Sequence, residues 1–141
     1  EIKGIMLYAP AMRLASSRLR ILLMIVASFF IFAVPKKSGE DRGGMPWQGY
    51  KVNPLKVAVQ LLKLQAEIKK RLSRIYQPIL LFQANLDETV DLKSGEMIFE
   101  GVQSAVIESH WMEKSGHVVI LDREFEEVSE ISLKFVKKIF Q

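Results

Sequence analysis

Two runs of apolar residues predict buried β-strands, at residues 2–8 and 79–84, and a third run, at residues 105–111, predicts a third strand. Runs with so little polar alternation are typical of parallel sheets, whose strands are covered on both faces. Segments with helical spacing follow the second and third runs, one at residues 92–102 that ends near Gly101 and one that begins after Asp122. The alternation of strand and helix predicts an α/β fold with a parallel sheet and right-handed crossovers.

The last predicted helix carries charges that favour its dipole at both ends. Acidic residues lie in its first turns and basic residues in its last turn: Glu124, Glu126 and Glu127, then Lys137 and Lys138. Negative charge near the N-terminus and positive charge near the C-terminus stabilise a helix. Asp122, which comes just before the helix, is predicted to be its N-cap.

Residues 21–34 form a strongly apolar segment that only Ser28 interrupts. As a helix it would span roughly 21 Å, less than the ~30 Å hydrocarbon core of a bilayer. We favour a buried helix over a lid helix that contacts a membrane interface and over a membrane-spanning helix. Ser16 and Ser17 precede the segment and are candidate N-caps.

A glycine-rich stretch, residues 35–54, interrupts the regular pattern and predicts a linker. Asn53 is the predicted N-cap of the next helix and Pro54 its first residue. Leu55, Val59 and Leu62 lie on the apolar face of this helix, and the lysines opposite are expected to be solvated.

Composition excludes several classes of protein. The chain has 141 residues, two histidines and no cysteine, which rules out a disulfide-stapled module, a zinc ribbon and a thiol nucleophile. Residues 1–78 hold 14 Lys and Arg against four acids, whereas residues 79–141 hold six against 12 acids. The basic residues are spread along predicted helices without an RNA-binding motif or a helix-turn-helix, so we expect no nucleic-acid partner.

Polar residues that follow the predicted strands are the candidates for chemistry. Asp87 follows the second strand and His117 follows the third, so the two side chains can meet at the carboxyl edge of the sheet. A carboxylate beside an imidazole fixes its tautomer and supports proton transfer. The structural alternatives are an Asx-turn at Asp87 with Thr89, and a surface turn at His117. His110 is expected to be an exposed polar residue.

These residues resemble a known family. The segment Gln-Ala-Asn-Leu-Asp-Glu-Thr-Val at 83–90, followed by Ser-Gly-His-Val-Val-Ile-Leu-Asp at 115–122, is similar to the C-terminal part of bacterial α/β-hydrolases. The most similar groups are small carboxylesterases and monoacylglycerol lipases. The resemblance is specific over residues 78–141, moderate over 53–77 and loose over 2–10, whereas residues 11–52 depart most from it.

The resemblance implies a Ser-His-Asp hydrolase of carboxylic esters, with Asp87 as the triad acid and His117 as the general base. The nucleophile of this family lies in a G-x-S-x-G motif that precedes both. None of the 11 serines lies in that motif. We therefore expect the nucleophile in a missing N-terminal half of the same protein, and we expect this chain alone to be inactive.

The same resemblance divides the chain into a sheet strand at residues 1–10, a helical cap at 11–77 and a C-terminal sheet with its helices at 78–141. It implies a small ester or a lipid-like substrate, no metal and no cofactor. Four aromatic residues of the cap are candidate substrate contacts, with the core of the cap as their structural alternative: Phe29, Phe30, Phe32 and Trp47.

Two alternative functions stay open: a non-catalytic hydrolase-like interaction module, and a peripheral membrane protein that binds lipid through residues 21–34. We expect a cytoplasmic location, with membrane contact through the cap. The strand at residues 2–8 would present an apolar edge, through which the chain is expected to self-associate.

Overall fold

A three-stranded parallel sheet forms the centre of the chain. The structure is a computed structural model that describes residues 1–36 and 50–141. In this part of the chain the strands are β1 (Ile5–Tyr8), β2 (Ala33–Pro35), β3 (Val52–Pro54), β4 (Ile79–Ala84) and β5 (Ile107–Met112). The α-helices are α1 (Arg18–Ala27), α2 (Leu55–Arg71), α3 (Lys93–Gly101) and α4 (Phe125–Ile139). The strand order β1-β4-β5 confirms the predicted parallel sheet, and β2 and β3 form a separate antiparallel pair.

Strand β4 is the core of the fold, because all six of its residues are buried and a parallel strand pairs with each of its edges. Leu80, Phe82 and Ala84 pack with Val128 and Phe135 of α4 on one face. On the other face Ile79 and Leu81 pack with a second group, which consists of Met12, Leu72, Ile98 and Val102. Burial on both faces explains why this strand reads as a nearly continuous apolar run, which only Gln83 interrupts.

The apolar segment at residues 21–34 does not form the buried helix that we favoured. Ser17 caps α1 by accepting a hydrogen bond from the Arg20 amide, but the helix ends at Ala27, and no residue of α1 is buried. Phe30, in the turn that follows, is 87% exposed. The helix packs mainly on α2, and the chain enters β2 at Ala33, so among residues 1–36 and 50–141 no further layer buries the apolar side chains of α1.

The predicted start of α2 is one residue too early. Asn53 and Pro54 belong to β3, where they pair with Val34 and Ala33, and the helix begins at Leu55. The Leu55 amide donates to the Phe32 carbonyl at 3.0 Å. Pairing with β2 therefore takes the residues that local sequence preference assigns to the helix cap. At the other end of the chain, Lys137 and Lys138 lie in the last turn of α4 as predicted.

None of the helices in residues 1–36 and 50–141 is long and apolar enough to cross a membrane. In the described sheet β1 lies at one edge, with β4 as its neighbour. Self-association through this edge stays a prediction.

We predict that Gln83→Met raises the free energy of unfolding by roughly 1 kcal/mol in urea titrations. Gln83 is fully buried on β4, and within the described residues neither polar atom of its side chain has a hydrogen-bond partner. A buried polar group without a partner costs about 1–3 kcal/mol, and methionine has a similar length. Gln65→Met is the matched control and should destabilise, since the Gln65 amide donates to the Ala11 carbonyl at 2.8 Å. A less stable Gln83→Met chain would contradict the prediction.

Candidate active site

Asp87 lies in the loop that follows β4 and is held in a tight turn. Its backbone amide donates to the Ala84 carbonyl at 3.2 Å. Its carboxylate oxygen Oδ1 accepts hydrogen bonds from the backbone amides of Thr89 and Val90, each at 2.8 Å. This is the Asx-turn that the sequence suggested as the structural alternative. One oxygen of the carboxylate therefore maintains the loop.

The second oxygen of Asp87 contacts His117. The distance from His117 Nδ1 to Asp87 Oδ2 is 2.9 Å, across a separation of 30 residues. The Asp87 side chain is completely buried, whereas the imidazole is 39% exposed. The Asx-turn and the contact with histidine, which looked like alternatives in the sequence, thus occur together on one carboxylate.

The pKa of Asp87 lies below its ordinary value. Burial by itself would raise the pKa, because desolvation disfavours the charged form. The hydrogen bond from His117 and those from the Val90 and Thr89 amides outweigh this effect, because they stabilise the carboxylate. An ionised carboxylate can only accept, so Nδ1 of His117 carries the proton and, in the neutral ring, Nε2 keeps a free lone pair. The exposed imidazole can accept a proton there.

Backbone hydrogen bonds fasten the Asp87 loop to the His117 loop. The Asn85 amide donates to the Met112 carbonyl at 2.8 Å, and the Leu86 amide donates to the Ser115 carbonyl at 3.1 Å. Backbone hydrogen bonds between the two segments thus extend past Ala84 and Met112, where the parallel pairing of β4 with β5 ends. This continuation brings the two side chains within hydrogen-bond distance.

Asp122 is not the N-cap of α4 that the sequence predicted. The N-cap position is Glu124, and the helix starts at Phe125. The carboxylate of Asp122 instead accepts from the Gly116 amide at 2.7 Å and from the Arg123 amide at 2.8 Å. Its oxygens are therefore engaged by the loop before His117 and by its own neighbour rather than by the first turn of the helix.

Glu124 is a residue that sequence reasoning assigned only to the helix dipole. Its carboxylate accepts from the amides of Glu113 and Lys114 and from the hydroxyl of Ser115, at 3.1, 3.0 and 2.6 Å. Ser115 is fully buried. The sequence signal was weak, because an acid at a helix N-terminus is explained equally well by the dipole.

Arg13, in the segment that joins β1 to α1, is hydrogen-bonded to the chain that follows Asp87. The Arg13 amide donates to the Ser94 hydroxyl, and its carbonyl accepts from the Asp91 amide at 2.9 Å. The Arg13 guanidinium also pairs with the Asp91 carboxylate at 2.9 Å. The chain reaches this segment through Ala9, a buried residue in the left-handed region with φ of 45°. Arg13, near the start of the predicted cap, thus shares hydrogen bonds with the chain that follows Asp87.

The remaining candidates lie apart from this pair. His110 is half-buried, and its ring stacks on Phe82 at a centroid distance of 5.5 Å. Phe29 and Phe32 are 77% and 78% exposed, so they are not the core of a cap. Trp47 lies outside the described residues. In the described part of the chain, no group of three or more histidine or acidic side chains is arranged to hold a metal ion.

An open cavity of about 500 Å³ lies at the end of α2, and its lining does not include the Asp87–His117 pair. Six residues line it: Leu64, Glu67, Ile68, Arg71, Arg74 and Ile75. Glu67 and Arg71 form an ion pair at 3.6 Å on the surface of the helix. The cavity therefore adds no residue to the candidate site.

Solved structures of lipolytic enzymes have the same fold. The structure reported for the metagenome-derived lipolytic enzymes LipS and LipT matches with a TM-score of 0.85 at 28% identity, over 96% of this chain and 55% of that chain. A soluble variant of monoglyceride lipase from Saccharomyces cerevisiae, in complex with a substrate analogue, gives a TM-score of 0.73 over 99% of this chain and 54% of that chain. At 16% identity the second match shows the fold alone. The chain therefore has the α/β-hydrolase fold over about half of the length of these enzymes.

Two curated proteins are similar to the chain in sequence, although no protein-family model matches it. A carboxylesterase of Bacillus subtilis (strain 168) is 28% identical over 90 residues, and a thermostable monoacylglycerol lipase of Bacillus sp. (strain H-257) is 34% identical over 89 residues. The alignments cover 64% and 63% of this chain but only 37% and 36% of the relatives. The resemblance to carboxylesterases and monoacylglycerol lipases is confirmed.

We predict that Asp87→Ala lowers the free energy of unfolding at pH 7 by about 1–3 kcal/mol, since it leaves the Thr89 and Val90 amides without their acceptor. Asp87→Asn keeps an acceptor for the turn and should cost less. The lowered pKa of Asp87 stabilises the folded state at pH values above about 3.9, which is the pKa of aspartate in an unfolded chain. This contribution disappears as the pH falls through the pKa of Asp87 in the folded state. The advantage of the unmodified chain over Asp87→Asn should therefore shrink below about pH 4. An advantage in urea titrations that is constant from pH 7 to pH 2.5 would contradict this explanation.

Proposed function

We propose that the chain supplies the acid and the base of a serine hydrolase that acts on carboxylic esters. The observation that carries the proposal is the contact of His117 Nδ1 with the buried Asp87 carboxylate, while the imidazole stays 39% exposed. The similarity to a carboxylesterase and to a monoacylglycerol lipase supports the same chemistry.

In this mechanism His117 Nε2 removes the proton of a serine hydroxyl as the oxygen attacks the ester carbonyl. It then returns the proton to the leaving alcohol, and the cycle repeats with water to release the acid. Asp87 holds the imidazole in the tautomer with Nδ1 protonated and stabilises the imidazolium that forms in each transfer. Groups of this kind contribute roughly 10²- to 10⁴-fold each to the rate.

The nucleophile in this proposal belongs to a segment that precedes Glu1. None of the serines in the chain lies in a G-x-S-x-G motif, and the aligned part of the chain covers just over a third of the length of its curated relatives. We propose residues 11–77 as the lid over a site for a small ester or a lipid-like substrate, and residues 1–10 and 78–141 as parts of the hydrolase sheet. A cytoplasmic location is proposed with it.

The expected outcome is that this chain alone does not hydrolyse p-nitrophenyl butyrate. Joined to the protein encoded upstream of Glu1, it should turn the ester over and react with a fluorophosphonate probe. In that protein His117→Gln should lower kcat by about 10²- to 10⁴-fold, because the general base is lost. His110→Gln is the matched control and should retain activity, since His110 is not part of the pair.

Two results would contradict the proposal. Turnover by the isolated chain that depends on His117 would mean that its nucleophile lies within these 141 residues. A longer protein without ester turnover and without fluorophosphonate labelling would favour a non-catalytic interaction module that retains the hydrolase fold.

The exposed apolar surface around α1 favours a second candidate function, binding to an anionic lipid surface. Leu22 and Leu23 are 57% and 59% exposed, and the three phenylalanines after the helix are at least 77% exposed. Apolar patches of this kind mark interaction sites. Residues 14–36 contain no acidic residue, and Arg18 and Arg20 lie in the first turn of the helix. Basic and aromatic residues together favour an interfacial helix at anionic lipids.

This second candidate predicts flotation of the chain with vesicles that contain phosphatidylserine and weaker flotation with phosphatidylcholine alone. Replacing Phe29, Phe30 and Phe32 together with serine should abolish flotation, since the apolar anchor is lost. Phe99→Ser is the matched control, because Phe99 is 61% exposed on α3, outside this surface. Flotation that survives the triple substitution would contradict lipid binding through this surface.

A further inference from the structure

Two carboxylates that follow His117 in the sequence, those of Asp122 and Glu124, accept hydrogen bonds from the loop that precedes it. Residues 113–116 each donate one hydrogen bond: Glu113, Lys114 and Ser115 to Glu124, and Gly116 to Asp122. Three of the donors are backbone amides, and the fourth is the hydroxyl of the fully buried Ser115. Four consecutive residues immediately before His117 are therefore tied to acceptors at the start of α4.

The position of the two acceptors suits this arrangement. Glu124 directly precedes Phe125, the first residue of α4, and Asp122 lies two residues before Glu124, so both acids are near the helix N-terminus, where the dipole favours negative charge. Helix α4 is anchored in the core by Val128 and Phe135, which pack on β4. The carboxylates consequently connect the His117 loop to a rigid element rather than to another loop.

The His117 imidazole is 39% exposed, and within the described residues its one side-chain hydrogen bond is that from Nδ1 to Asp87. The Ser115 carbonyl accepts from the Leu86 amide, so the same loop also touches the chain next to Asp87. A displacement of residues 113–116 would thus move the imidazole relative to its carboxylate.

We propose that Glu124 and Asp122 are positioning residues that set the orientation of His117 by holding residues 113–116. This inference rests on the proposed role of His117 as the general base. Neither carboxylate contacts the imidazole or a reacting atom, so the effect passes through the loop. Misplacement of a catalytic group by about 1 Å is enough to cost about 10²-fold in rate.

The first test needs no catalytic activity. In the full chain, ¹⁵N chemical shifts of the His117 ring report which nitrogen carries the proton. The Asp87 contact should give a ring protonated at Nδ1 when it is neutral. Glu124→Ala should reduce the Nδ1-protonated population at least twofold, because the loop loses three hydrogen bonds. Glu124→Gln, which keeps one carbonyl oxygen as an acceptor, should restore part of it.

Glu127→Ala is the matched control. Glu127 is exposed and also lies in the first turn of α4, so its removal changes the charge near the helix N-terminus without removing a bond to the loop. It should leave the ring spectrum of His117 unchanged. If Glu124→Ala does not fold, Ser115→Ala removes a single bond to Glu124 and should show a smaller change in the same direction. An unchanged ring tautomer in the folded Glu124→Ala chain, or in Ser115→Ala if only that variant folds, would overturn the proposal.

The second test uses the hydrolase joined to its upstream segment. Glu124→Ala should lower kcat about 10²-fold and leave KM within twofold, because the residue acts on the general base and not on substrate binding. If the joined protein has no esterase activity, the proposed function fails while the ring-tautomer test still decides the positioning role. A Glu124→Ala enzyme with normal kcat would overturn that role.

Discussion

The burial of β4 on both faces is the constraint on which the rest of the structure depends. Its six residues lie between α4 on one face and the group of Met12, Leu72, Ile98 and Val102 on the other. Strands β1 and β5 pair with its two edges. A strand in this position can neither slip in register nor leave the sheet without exposing its apolar side chains. The end of β4 at Ala84 is consequently a fixed point, and the loop that carries Asp87 starts there.

Asp87 uses this fixed point for two purposes at once. One carboxylate oxygen maintains the turn through Thr89 and Val90, and the other accepts from His117. Because the turn holds the carboxylate in place, the contact with the imidazole needs no further ordering of the acid. The same bonds keep the pKa of Asp87 low despite its burial, so the group is ionised near neutral pH.

The two ends of the chain are fixed to different degrees. Helix α4 packs on β4, and the carboxylates at its start connect it to the loop before His117. Helix α1 packs mainly on α2, and none of its residues is buried. Residues around Arg13, where the chain leaves the sheet, are bonded to the loop after Asp87. His117 thus follows a loop that is bonded to the well-packed α4. The exposed α1 follows the segment around Arg13, which is itself bonded to the loop after Asp87.

The sequence by itself determined the elements whose signals are local and strong. The nearly continuous apolar run of β4, the end of α3 at Gly101 and the charged termini of α4 were all readable, because burial, glycine and helix dipoles act on neighbouring residues. Tertiary structure decided the rest. Pairing of β3 with β2 took Asn53 from the helix cap, and among the described residues no further layer buries the apolar side chains of α1. Asp122 and Glu124 bond to a loop on their N-terminal side, a contact that local preferences do not encode, because it depends on how α4 packs against the sheet.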